Sequence, residues 1–282
     1  MIAIIGGRGF LGQALKSVIT YDCVSRQGPL YLDDLLTPDQ FKKYDIIINL
    51  AGQTIDSWPW TKKKKKVFLD SRIGVIDKIV QMAHQANHSP WLIQASGISY
   101  YGIFTHSLHQ QSEYDPPEES DTFMQYLAQA IEKKTKAYPG MTSALRLAPV
   151  LDSQHGVFPK LTLLSRCGLH LVPGTGSAAL PWIHVDDFTR AMQWIISHRL
   201  YGPINLIAPT QNTIKEFYQQ LKNKQGGLIG HVPSWCYRWS LGEMSQLILG
   251  GTKASPQVLT ESGFVFQYEH LSQALNNLLI KN

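Results

Sequence analysis

Three glycines at spacing three, Gly6, Gly9 and Gly12, are the residues here whose type and spacing speak most directly of chemistry. They stand in the run Gly6-Gly7-Arg8-Gly9-Phe10-Leu11-Gly12, after the β-branched stretch Ile2-Ala3-Ile4-Ile5 and before a helical pattern over residues 13–19. A buried strand, a glycine turn and a helix in that order make a dinucleotide-binding turn. The glycines permit a tight bend and let backbone N–H groups reach a pyrophosphate, which the helix N-terminus stabilises. The alternative is a tight turn that holds no ligand. Three glycines cost conformational entropy, however, unless something must come close.

The end of the next strand, expected over residues 21–25, bears on the choice of nucleotide. Turns that prefer NAD place Asp or Glu about 20 residues beyond the first glycine, on the ribose 2′-hydroxyl. Here Ser25 and Arg26 stand there, and Asp22 falls at the wrong end of the strand. A guanidinium pairs with a 2′-phosphate through two parallel hydrogen bonds, and a serine hydroxyl can donate a third. NADP(H) is therefore expected over NAD, with Arg26 as an ordinary loop arginine being the alternative.

Other groups could move protons. Ser96 ends an apolar strand, and Tyr100 and Tyr101 follow it closely. A phenol beside a cofactor can act as acid or base, although a packed, hydrogen-bonded tyrosine is as common. Glu113 could be an acid at a cleft, but it reads more simply as an exposed loop glutamate. His184 with Asp186 and Asp187 suggests a metal site or proton relay. The simpler reading starts a helix over residues 188–197 with an aspartate as N-cap. Cys23, Cys167 and Cys236 are far apart and follow no ligand spacing, so buried, reduced thiols and no metal site are expected.

The elements that must position these groups alternate along the chain. Strands are expected over residues 45–50, 91–95 and 143–147, with helices over 65–86 and 123–137 between them. Such βαβ alternation implies an α/β fold with a doubly wound parallel sheet and ligands at the carboxyl ends of its strands. Residues 1–150, with 180–208 returning, should form this dinucleotide-binding domain. Residues 151–179 and 209–282 should form a smaller, mostly helical lobe on the substrate side.

With 282 residues, 44% of them apolar, the chain can bury a sizeable core, and no stretch approaches the roughly 20 apolar residues of a membrane helix. The glycine turn begins almost at Met1, so no leader is expected and the location should be cytoplasmic. The net charge of +5 is local. Five of the 26 basic residues form the unbroken run 62–66, and the other 21 balance 21 acidic residues. A solvated helical face is the simpler reading of the run; a patch attracting an anionic ligand or surface is the alternative. Neither nucleic acid nor a membrane is expected as a partner. The expected partner is a small molecule, on a monomer or homodimer.

Several motifs together resemble the extended short-chain dehydrogenase/reductases. They are the glycine turn, Asn49-Leu50-Ala51-Gly52, the segment from Ser96 through Tyr100-Tyr101-Gly102, Glu113 with Pro116-Pro117, Arg146-Leu147-Ala148-Pro149, and Trp182 through Asp187. More narrowly, the chain is similar to the atypical, epimerase-like subgroup labelled nucleoside-diphosphate-sugar epimerases, with a short carboxy-terminal module of unknown role. The resemblance implies a Rossmann fold. It implies that residues 6–12 hold the pyrophosphate and Ser25 and Arg26 the 2′-phosphate. Leu50, Ala51 and Gly52 would line the adenosine side, Ser96 would be the catalytic serine, and residues 147–149, ending at Pro149, would pass the nicotinamide. Asp33 or Asp34 would reach the adenine amine.

One departure matters more. The family's chemistry rests on a Tyr-x-x-x-Lys pair on the helix after the serine strand, where the lysine lowers the pKa of the tyrosine. Met124 and Ala128 stand at those positions here, and Tyr126 has Ala130 four residues on. Tyr218 with Lys222 has the spacing but lies beyond the late strand, and reads as a chance match on a helix surface. Two functions follow. One is an NADP(H)-dependent epimerase or oxidoreductase acting on a small carbonyl or sugar-nucleotide-like substrate, with Ser96 orienting it and Tyr100 or Tyr101 giving the proton. The other is a protein that binds NADP(H) without turnover, as a sensor.

Overall fold

The computed structural model describes residues 1–25, 37–55, 59–104 and 110–280. Its centre is a six-stranded sheet of β1 (Ile2–Ile5), β2 (Asp22–Val24), β3 (Ile46–Asn49), β4 (Trp91–Gly97), β5 (Thr142–Leu147) and a late strand, Gly202–Leu206. All neighbours pair in parallel, in the order late strand, β5, β4, β3, β1, β2. The chain leaves β1 towards β2 on one side and returns to β3 on the other. The crevice between β1 and β3 is thus the switch point at which open α/β sheets bind ligands.

Alternation along the strands explains both layers. Ile4, Ile48 and Ile93 face one side and pack with Phe188, Met192 and Ile195 of the helix Val185–His198. Ala3, Ile5, Ile47 and Leu92 face the other and meet Ile79, Met82 and Ala83 of the helix Lys62–Ala86. Both faces of a parallel sheet must be covered, and the β-branched runs meet that requirement. The carboxy-terminal segment shares this core, because Leu259, Phe264 and Phe266 belong to the same cluster as Ile4.

The helix expected from residue 65 begins three residues earlier, and three other local expectations change. The lysine run is itself the first turns of the helix Lys62–Ala86, capped by Thr61, whose hydroxyl accepts from Lys64 N at 3.2 Å. The expected aspartate cap is instead His184, whose Nδ1 accepts from Asp186 N at 3.1 Å. Asp187 is turned away to accept from the backbone N–H groups of Gln267 and Tyr268, both at 2.8 Å. In the late region, a strand Leu228–Val232 pairs in parallel with Leu169–Pro173, an element too short and too glycine-flanked to show as a strand in sequence. The thiols are unpaired, but none is fully buried: Cys23 and Cys236 are half-buried and Cys167 is exposed.

Glu113 is the largest correction of this kind. It is only 6% exposed, and its carboxylate accepts from Asn205 N at 2.8 Å and Gln257 N at 3.0 Å. One side chain thus ties the edge strand to the carboxy-terminal segment. Burial pushes its carboxyl above the usual glutamate range, against the opposing pull of those N–H groups. Glu113→Ala should lower unfolding stability by roughly 1–3 kcal/mol by leaving buried donors unmet. An unchanged urea midpoint would show that the tie contributes nothing.

Candidate nucleotide and proton-transfer site

Each glycine of the turn has its own reason. Gly6 sits at φ +83°, and a Cβ there would come within 3.0 Å of Leu50 and Ala51 backbone, so glycine brings the two strand ends together at the switch point. A Cβ on Gly12 would overlap the backbone of Gly7, which fixes how closely the helix Phe10–Leu15 sits on the turn. Gly9 is exposed, and a Cβ there would meet only the Gly6 carbonyl at 3.3 Å. Its side of the turn is the open one, where the first N–H groups of the helix lack intrahelical acceptors.

The turn is braced from behind. Tyr21 Oη donates to Gly12 O at 2.7 Å, and Gly6 N to Val24 O at 2.8 Å. Phe10 stacks on His155 with centroids 5.4 Å apart, and Leu11 packs on the sheet core, while Arg8 is exposed. Gly7 is buried against Cys23 and Tyr21. Phe10, Leu11 and Gly7 thus shape the turn from below, and its open side is backbone.

Ser25 follows β2 directly at the same edge, half-buried. Arg26, Asp33 and Asp34 lie outside the described residues. At the end of β3, Leu50 N donates to Ile5 O at 2.9 Å and Ala51 N to Asn49 Oδ1 at 3.1 Å. Gly52 is exposed beside a residue that sequence reasoning missed. A Cβ at Gly52 would lie 2.7 Å from the guanidinium carbon of Arg72. Arg72 donates to Phe68 O at 3.2 Å and Gln53 O at 3.0 Å, and burial lowers its pKa to about 10. It props the loop after β3 from beneath.

The expected proton-transfer residues sort sharply. Ser96 and Arg146 are register partners on β4 and β5. Arg146 is 4% exposed and forms a two-pronged pair with Glu132, at 2.9 and 3.0 Å. Ser96 Oγ donates to the same carboxylate at 3.2 Å. The single proton of that serine is therefore directed inward, and its lone pairs are what it has left to offer a ligand.

Tyr101 is fully buried. Its hydroxyl accepts from Arg146 Nη1 at 2.6 Å and lies 2.7 Å from Ser112 O and 3.0 Å from Asn205 Oδ1. Burial raises its pKa to about 12. A phenol so enclosed holds the fold together and cannot meet a ligand, which corrects its expected part as proton donor. Tyr100 is different. It is half-buried, its ring lies over the Arg146 guanidinium at 3.6 Å, and its hydroxyl has no partner among the described residues.

Met124 and Ala128 do structural work on the helix Phe123–Thr135. Met124 packs against the apolar cluster that holds Phe68 and Phe123, and Ala128 is buried. Tyr126 is 60% exposed and points away. Tyr218 is not on a helix surface but buried, donating to Leu161 O at 3.2 Å, far in sequence from this site. Pro149 is exposed beyond β5, at the same sheet edge. His184 is buried and stacked on Tyr268 at 3.8 Å. Among the described residues no group of three or more His, Cys, Asp or Glu could hold a metal ion.

Glu132 was the residue least visible in sequence. Its only signal was an acidic residue deep in an amphipathic helix, facing a strand that carries an arginine.

The chain is similar to known proteins over nearly its whole length. The model of the NAD dependent epimerase/dehydratase family matches residues 32–206, and that of a domain of unknown function matches residues 232–278. The epimerase family protein YfhF of Bacillus subtilis (strain 168) is 30% identical, over 99% of this chain and 97% of its own length. The epimerase family protein SDR39U1 of Mus musculus is 27% identical, over 99% of each chain. The crystal structure of human SDR39U1 (isoform 2) with NADPH superposes with a TM-score of 0.90 at 24% identity, covering 100% of this chain and 99% of that one.

Proposed function

Because this chain belongs to the NAD-dependent epimerase/dehydratase family, we propose that it binds NADP(H) and acts as an epimerase or oxidoreductase on a small carbonyl or sugar-nucleotide-like substrate. Tyr100 stands in for the missing Tyr-x-x-x-Lys pair. The observation that carries this reading is the stack of Tyr100 on Arg146, a cation fixed by Glu132 on the strand beside Ser96. The family's arrangement pairs a phenol with a lysine cation; here a phenol and an arginine cation meet from other elements.

The bound cofactor would supply or accept a hydride. The open side of Gly9 and the first N–H groups of the following helix suit its pyrophosphate, and Leu50, Ala51 and Gly52 its adenosine. Tyr100 exchanges the proton on the substrate oxygen. Arg146 acts through Tyr100 and Glu132 as a positioning residue. Ser96 contributes its lone pairs, since its proton is held by Glu132.

For the nucleotide, Ser25 and Arg26 favour NADP(H), and the human relative's structure with NADPH supports that choice. Calorimetric titration should find NADPH tighter than NADH. Arg26→Ala should remove most of the difference, a loss of more than about tenfold for a charge-assisted pair. Equal affinities in the wild type would make Arg26 a surface residue.

A second reading has its own observation. Met124 and Ala128 are packed into the fold where the family's acid and its lysine would stand, so cofactor binding without turnover remains the competing proposal. Following hydride transfer from NADPH across a panel of carbonyl compounds and sugar nucleotides separates the two.

A further inference from the structure

The helix Ser234–Leu241 buries none of its eight residues. Trp235 and Trp239 are 67% and 87% exposed, and their i,i+4 spacing sets them on one face. Immediately after this helix, Glu243 forms an ion pair with Lys65. That contact brings the helix to the lysine run, the source of the chain's whole net charge of +5. Lys62 lies one turn before Lys65 on the helix Lys62–Ala86, and Trp239 lies four residues before Glu243. The ion pair makes neighbours of the carboxyl end of the tryptophan helix and the first turn of the lysine helix, whose turns rise about 5.4 Å. Lys62, Lys63 and Lys66 are exposed, and so is Val67 at 43%.

We propose that this surface, with Trp235, Trp239, Lys62 and Lys63 as its contacts, docks the protein on the anionic face of a phospholipid membrane. The two chemistries match the two layers of such a face. Indole rings settle at the level of the headgroups, where their apolar body and polar N–H are both accommodated. Lysines are drawn to anionic headgroups without needing a fixed geometry, which suits a flexible ammonium on a long stem.

Competing occupants fit less well. Lysine is depleted from protein–protein interfaces, so a run of five beside the apolar contact argues against a protein partner. Pairing with a second copy about a two-fold axis would set like-charged runs against each other. The contact is peripheral: among the described residues no helix is long and apolar enough to cross a membrane. It also narrows the expectation of no membrane partner to one of no membrane span.

The full chain should float with vesicles of phosphatidylcholine containing phosphatidylserine, and not with phosphatidylcholine alone. Recovery should fall steeply as salt is raised, and brominated lipid should quench the tryptophan emission. Each lysine near an anionic surface strengthens binding roughly fivefold, so Lys62→Glu with Lys63→Glu should weaken it more than tenfold. Trp235→Ala with Trp239→Ala should do likewise, and both pairs should leave NADPH binding unchanged. The salt and lipid-charge dependence of the wild type needs no variant and stands even if one misfolds. Failure of the wild type to float at low salt would overturn the proposal. So would recovery insensitive to both variant pairs, or retention of single-stranded oligonucleotides in place of vesicles. Loss of NADPH binding in the wild type would instead count against the nucleotide reading, on which this one does not rest.

Discussion

Tyr100→Phe should lower turnover by roughly 10²- to 10⁴-fold while leaving NADPH affinity unchanged, because a positioned acid or base contributes about that much. The substitution removes one oxygen and keeps the ring that covers Arg146, so the cation stays covered and the fold stays intact. The contrast is Tyr101→Phe. That hydroxyl is bonded to Arg146, Ser112 and Asn205 in the interior, so its loss should appear first as lower thermal stability. Turnover is followed as NADPH oxidation with any carbonyl or sugar-nucleotide compound that the wild type reduces. Full activity in Tyr100→Phe would remove Tyr100 from the chemistry. A wild type that reduces nothing in a broad panel, yet binds NADPH, would favour the sensing function.

Arg146→Met should cost about 3–5 kcal/mol in unfolding free energy, the range for breaking a buried ion pair by removing one partner. The reason is what it leaves behind. Glu132 would keep a carboxylate in the interior with, among the described residues, only Ser96 Oγ to donate to it, and Tyr101 would lose the donor to its oxygen. Replacing both partners, Arg146→Met with Glu132→Leu, should recover most of that loss, since a hydrophobic pair of similar volume is often neutral or better. Urea denaturation of the three variants measures both effects. A single-variant loss under about 1 kcal/mol would mean that water reaches the pair.

Both predictions concern residues that sequence treated unequally. Arg146 stood in a motif, but nothing in the chain order said which carboxylate it would meet. Glu132 is 14 residues away on a helix, and only the packing of that helix across β4 and β5 joins them. Tyr100 and Tyr101 are neighbours in sequence and were equivalent as candidates. A short 3₁₀ turn over Ile98–Tyr101 sends one ring into the core and leaves the other over the guanidinium.

What the sequence determined by itself is what local physics determines. β-Branched runs must be buried strands, glycines at spacing three must let backbone approach backbone, and the alternation of strand with helix must give a parallel sheet. The glycine turn and the strand ends that face it were legible on that basis, whereas the missing Tyr-x-x-x-Lys pair was legible only against the family that the motifs resemble. Tertiary structure alone decided the fate of the polar side chains. Glu113 and Asp187 became buried acceptors for the backbone of the carboxy-terminal segment, His184 became a cap, and Glu132 became the counter-ion of Arg146. A carboxylate looks the same in sequence whether it meets water or a buried donor. Which it meets is set by contacts between segments up to 178 residues apart, and no local pattern encodes those.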